Sequence, residues 1–90
     1  MITEIPLSAV PNQVLTVTLE QNTYEITLET RLDNLFATVK RNGEYLVCNR
    51  ICRNLTYICR WLLFMDVTGN TDPVYTGLNS RYKLVWLNGI

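Results

Sequence analysis

The chain has 90 residues, with eight basic and eight acidic side chains, no His, and no run of like charges. That balance excludes the basic stripe of a nucleic-acid binder and the polybasic patch of an anionic-membrane binder. A charged fraction of 18% beside 48% apolar residues falls below the roughly 25% charged of ordinary domains, so part of the surface is expected to be covered by other protein.

One small domain spanning residues 1–90 is expected, with a core only slightly favourable against chain entropy. Cys48, Cys52 and Cys59 cannot all pair within one chain, and no secretory leader is recognisable before them, since Met1 runs straight into Ile2-Thr3-Glu4-Ile5-Pro6, so synthesis in a reducing cytoplasm is expected. Without His or a Cys-x-x-Cys pair, the thiols read as buried and free, not as zinc ligands. The longest apolar run, Trp61 to Met65, is too short to span a bilayer.

Residues 1–12 read as an extended lead-in, because Pro6 and Pro11 remove amide donors and push their predecessors toward extended geometry. From Gln13 the pattern alternates strictly: Leu15, Val17 and Leu19 against Thr16, Thr18 and Glu20. Tyr24, Ile26 and Leu28 repeat it. With Gln21 and Asn22 as a two-residue turn, Leu19 would face Tyr24, Val17 would face Ile26 and Leu15 would face Leu28, all apolar groups on one surface. Such a hairpin is not stable alone.

After a polar connection from Arg31 to Asn34, Leu35, Ala37 and Val39 alternate with Phe36, Thr38 and Lys40 up to Asn42-Gly43. That dipeptide is the strongest short hairpin signal, since both residues tolerate the positive φ of a type I′ turn. Pairing outward from it sets Arg41 against Glu44, Val39 against Leu46 and Ala37 against Cys48, which makes Cys48 a core residue.

Residues 50–65 carry two patterns. Ile51, Leu55, Ile58, Leu62 and Met65 recur at helical spacing, but the β-branched and aromatic content from Thr56 to Phe64 favours an irregular crossover over Arg50 to Asn54 and a buried strand over Trp61 to Val67. Asp66 to Arg81 is rich in turn formers, among them Gly69, Asn70, Asp72 and Pro73, so 68–81 reads as a long loop that must anchor through Val74, Tyr75 and Leu78. The last strand, Tyr82 to Leu87, carries apolar residues on both faces and is expected at the centre of a sheet or against a neighbouring molecule. The sum is an all-β fold, a small antiparallel barrel or sandwich of about six to seven strands built from hairpins.

Chemistry is sparse. Without His, only carboxylates, lysines and thiols remain as acid-base or nucleophilic candidates. Glu4, Glu20, Glu25 and Glu29 read as solvated charges. Asp66 and Asp72 are the only carboxylates placed to share a loop site, and Asp72 before Pro73 reads as bonding its own backbone in a turn. No phosphate-binding glycine loop is present. Tyr24, Tyr45, Tyr57, Tyr75, Tyr82, Trp61 and Trp86 read as core or interface residues, and Arg50, Arg53 and Arg60 as a solvated or partner-facing patch. No catalytic residue, metal ligand or cofactor site is expected.

Ile5-Pro6-Leu7 with Pro11-Asn12-Gln13 at the front, and Asp72-Pro73-Val74-Tyr75-Thr76-Gly77-Leu78 with Ser80-Arg81-Tyr82 at the back, together resemble the phage baseplate plug family, small tail proteins of contractile-tailed bacteriophages. The chain departs from the family pattern between Leu55 and Trp61 and at Val74. The resemblance implies a structural virion component without turnover. It would sit in the tail baseplate, at the hub near the tail axis, touching other hub or tail-tube proteins and forming a homo-oligomer around that axis. Nucleic acid and membrane are not implied as partners. Expected contact residues are Ile5, Pro6, Leu7, Pro11, Asn12, Asp72, Pro73, Tyr75, Leu78 and Arg81; truncating Tyr75 or Leu78 to Ala is expected to leave the free domain folded and to block tail assembly. The rival reading is a small barrel that binds single-stranded nucleic acid or an oligosaccharide through its aromatics.

Overall fold

The computed structural model describes residues 2–87; the outermost parts of the expected 1–90 domain, residues 1 and 88–90, lie outside them. Among the described residues there are eight strands: β1 Thr3–Ile5, β2 Gln13–Leu19, β3 Asn22–Arg31, β4 Asn34–Arg41, β5 Glu44–Ile51, β6 Tyr57–Cys59, β7 Leu62–Asp66 and β8 Tyr82–Trp86. They form two four-stranded antiparallel sheets, β1-β8-β7-β6 and β2-β3-β4-β5. The fold is therefore a sandwich and not a closed barrel. The shortest two, β1 inside the proline lead-in and β6 ahead of the buried β7, carry the number past the expected six to seven.

The second sheet is a meander, each strand paired with the next in sequence. Its three turns, Glu20-Gln21, Leu32-Asp33 and Asn42-Gly43, all have positive φ at both central residues. This is the type I′ geometry whose twist suits a two-residue hairpin. Only the third has the expected residues. The first differs from the Gln21-Asn22 expectation: β2 and β3 pair Leu19 with Asn22, Val17 with Tyr24 and Leu15 with Ile26. Asn22 is spent otherwise, its amide donating to the Glu20 carbonyl and accepting from Asn42 Nδ2 at 2.9 Å. The shift is two residues, so the same side chains still face inward.

Between β4 and β5 the register holds at Arg41 and Glu44 but slips twice, setting Val39 against Val47 and Ala37 against Arg50. Each slip is a bulge; at the second, Asn49 turns left-handed and donates its N–H to Thr38 Oγ1. The bulges let Leu46 and Val47 both reach the core and turn Cys48 out. Cys48 is thus exposed, contrary to its expected place in the core, because the first added residue inverts the facing of the strand up to the second bulge.

Residues 57–66 form a strand pair and not a helix: β7 pairs with β6 on one side and β8 on the other, bridged by an Arg60-Trp61 turn in which Arg60 has positive φ. The strand content of β-branched and aromatic residues prevails because Leu62 and Phe64 face the core and Leu63 lies buried on the opposite face. β8 lies between β1 and β7, as its two apolar faces require. Inside the sandwich, Tyr24, Ile26, Leu28, Leu35, Ala37 and Val39 of one sheet meet Ile5, Ile58, Leu62, Phe64, Leu84 and Trp86 of the other. Trp86 Nε1 donates to Glu20 Oε2 at 2.8 Å and its ring tilts against Tyr24, so Glu20 is not a merely solvated charge but a polar tie between sheets.

Candidate functional site

The segment from Val67 to Arg81 contains no strand, only a 3-10 turn at Tyr75–Gly77. A stretch of backbone with so few partners of its own must be held by side chains, and here one carboxylate does most of it. Asp66 ends β7 with its side chain wholly shielded from solvent. Its Oδ1 accepts from the Thr68 N–H, Thr68 Oγ1 and Arg81 Nε; its Oδ2 accepts from the Thr71 N–H, Thr71 Oγ1 and Arg81 Nη2. The Arg81 guanidinium, followed by the Thr71 and Thr68 donors, holds the Asp66 carboxyl well below the usual carboxylate range, and Asp66 in turn raises Arg81. Six donors on one carboxylate leave no lone pair for a substrate or a metal. Asp66 is therefore a structural anchor.

Asp72 lies on the other side of the loop and does not bond its own turn. Its Oδ1 accepts from the Asn54 N–H at 2.9 Å, and Oδ2 from Arg53 at 3.3 Å. Asn54 Oδ1 accepts in turn from the Asp66 N–H. Asn54 of the crossover is thus tied to both, to Asp72 through its N–H and to the Asp66 N–H through its side-chain oxygen, while the two carboxylates bond different donors and share no common partner. The expected arginine patch is partly spent in the same way, Arg53 on Asp72 and Arg50 on the Ile58 carbonyl.

The back of the loop fits against the lead-in. Asn79, left-handed at φ 65°, accepts the Leu7 N–H on its side-chain oxygen and the Lys83 ammonium on its carbonyl, while Lys83 also pairs with Glu4. Gly77 is required there, since a Cβ at that position would lie 2.8 Å from the Tyr82 ring. Pro11 and Asn12 are fixed farther along, their carbonyl and amide oxygens accepting from Thr30 Oγ1 and the Thr30 N–H.

The residues expected to make contacts therefore divide into two groups. Ile5, Leu7, Pro73 and Leu78 are buried in the chain's own core or beneath the loop. Leu78, only 3% exposed, cannot be truncated without opening a cavity, contrary to the expectation that its loss leaves the domain intact. Pro6, Pro11, Asn12 and Asp72 are exposed, and Tyr75 and Arg81 half-buried. Lead-in and loop meet at Leu7 and Asn79. The loop's organisers are Asp66, Asn54 and Asn79, and the one sequence signal that marks any of them is an Asp at a strand end with Thr two residues on, the pattern of a side-chain-closed turn.

Burial pushes the Cys52 thiol up to about 12 and raises Cys59 as well, against the lowering pull of Arg50, Arg60 and Arg41, and a raised thiol pKa disfavours the thiolate. Among the described residues the surface encloses no pocket, no group of three or more His, Cys, Asp or Glu side chains could hold a metal, and no helix is long and apolar enough to cross a membrane. What the molecule offers is surface and sheet edge.

Residues 2–89 match the family described as cyanophage baseplate Pam3 plug gp18. The chain belongs to this family. Baseplate plug proteins are structural components of a phage tail, so the family assigns the chain to the virion tail baseplate in the company of other baseplate proteins. The match runs through both ends of the sandwich and the loop between them, which covers every element described above. No curated protein matches the chain.

Proposed function

We propose that this plug protein packs at the baseplate hub near the tail axis and works by protein-protein contact, without turnover. The carrying observation is the junction of lead-in and loop: two segments 72 residues apart are joined by the Leu7-Asn79 hydrogen bond beside the β1-β8 ladder, and the exposed residues of both are read as one contact surface. On it Pro6, Pro11, Asn12, Asp72, Tyr75 and Arg81 are the groups offered to hub or tail-tube proteins. Ile5, Leu7, Pro73 and Leu78 shape that surface from below. Copies arranged around the tail axis, after synthesis in the host cytoplasm, complete the proposal.

A rigid surface of this kind suits assembly, because contacts made by loops already held in place cost little ordering entropy. Tyr75→Ala tests it. The free domain is expected to keep its unfolding midpoint within about 5 °C, since Tyr75 is only half-buried at the core margin, while infectious titre and the amount of chain in purified tails fall at least about tenfold. Normal titre and normal incorporation would count against the contact surface.

A further inference from the structure

An edge strand leaves half of its backbone groups unpaired, and proteins blunt such edges to prevent unwanted pairing. Three of the four edges here are blunted. β1 is three residues long and runs into Pro6. β6 is three residues long and irregularly paired, with Arg60 left-handed beside it. β5 is bulged twice and carries Glu44 and Arg50. β2 has none of these devices. Its seven residues, Gln13–Leu19, contain no Pro, Gly or charge, keep an unbroken register with β3, and pair with no other strand among the described residues.

The turn fixes which groups point outward. A two-residue hairpin makes the residues flanking it a hydrogen-bonded pair, and bonded and non-bonded pairs alternate from there. Leu19, Val17 and Leu15 therefore spend their amides on β3, whereas Val14, Thr16 and Thr18 direct theirs away from the sheet. Those three side chains are exposed, Val14 by 64%. On the inner face Leu15 and Val17 are only half-covered, because the strand at the corresponding edge of the other sheet, β1, is so short.

We infer that the outer edge of β2 receives an extended segment of a neighbouring baseplate chain, added antiparallel or parallel as a fifth strand of the second sheet. The segment places apolar side chains over Leu15 and Val17 and uncharged polar ones beside Thr16 and Thr18, since β2 offers no charge to match. This inference rests on the baseplate reading. A second copy is the less suitable occupant: two β2 strands would share a seam about 23 Å long, burying on the order of 500–700 Å² in total against the roughly 1,200 Å² of a stable free complex. A segment already held in an assembly needs no such area, because tethering supplies a high effective concentration.

The test is amide hydrogen exchange on the wild-type chain, free and in purified tails, together with Thr16→Pro and Thr16→Ala. Exchange at Val14, Thr16 and Thr18 is expected to be at least about tenfold slower in tails than in the free chain. Thr16→Pro, which removes an outward donor at a position where an edge tolerates proline, is expected to lower incorporation about tenfold, and Thr16→Ala to leave it unchanged. Equal exchange in both states overturns the inference even where the proline variant does not fold. So does full incorporation of a folded Thr16→Pro variant, or a free chain that is already dimeric with those amides protected, in which case the occupant is a second copy. Tails that lack the wild-type chain would overturn the baseplate reading itself, before any variant is made.

Discussion

The two sheets are built on opposite plans. The β2-β3-β4-β5 sheet is a meander in which each strand meets its sequence neighbour across a two-residue turn, whereas the β1-β8-β7-β6 sheet joins one strand from the start of the chain to three from its second half. The first plan needs turn chemistry and alternation; the second needs something to hold fifteen loop residues, 67–81, while β8 finds its place. The hydrogen bonds show the same division. Backbone pairs between sequence neighbours build the meander, but the loop that delivers β8 is held by side chains: Asp66 accepts from the Thr71 N–H five residues on, Asp72 from the Asn54 N–H 18 residues back, and Asn79 from the Leu7 N–H 72 residues back. Local order can thus be written in turns, while long-range order here is written in a few polar side chains.

If that division is right, loss of a loop anchor should cost far more than a change at a meander turn. The largest effect is expected for Leu78→Ala, which empties a fully packed position under the loop: a loss of about 2–5 kcal/mol, read by denaturant unfolding, and a large share of the 5–15 kcal/mol typical of a domain. Asp66→Asn follows. It leaves Arg81 without its carboxylate and is expected to lower the unfolding midpoint at pH 7 by about 10 °C.

The pH dependence of that second variant carries a definite sign. The Asp66 carboxyl sits lower in the folded than in the unfolded chain, so its contribution is complete above the ordinary carboxylate value near pH 4 and is lost as pH falls below it. The gap between wild type and Asp66→Asn should therefore be constant from pH 7 to about 5 and shrink below about 4. A gap that stays unchanged to pH 2 would show that Asp66 acts by shape alone.

The smallest effect belongs to the meander and has the opposite direction. Leu32 stands in a left-handed turn, φ 50°, with 94% of its surface exposed, a conformation that suits Asn far better than Leu. Leu32→Asn is expected to stabilise the free domain by about 0.5–1 kcal/mol, measurable as a rise of a few degrees. Were it to destabilise by as much as the loop variants, the proposed contrast between the sheets would fail.

The same contrast explains what could be read from the residues alone. Leu35, Ala37 and Val39, and the set from Leu15 to Leu28, were assigned to the correct face because a period of two survives even a shift of two residues in register. Asn42-Gly43 was readable because few other pairs tolerate that backbone. Cys48 was misplaced because nothing in Leu46-Val47-Cys48-Asn49 marks a bulge until the partner strand is present. Glu20, Gln21 and Leu32 turn left-handed although none of them favours it, since the strands on either side dictate the geometry. The loop anchors are not legible for a related reason: the donors that Asp66 collects come from Thr68, Thr71 and Arg81, up to 15 residues away, and their convergence is a property of the finished sandwich.

The antiparallel pairing of β1 with β8 has a consequence for how the molecule is made. On the ribosome the meander can close soon after its last strand emerges, yet Thr3–Ile5 must wait for residues more than seventy positions later before it has a ladder to join. Until then Ile5 and Leu7 have no shelter, and the nascent protein is a half-finished slab with one greasy side bare. Closure of the sandwich is thereby timed by the emergence of β8 and not by that of β1.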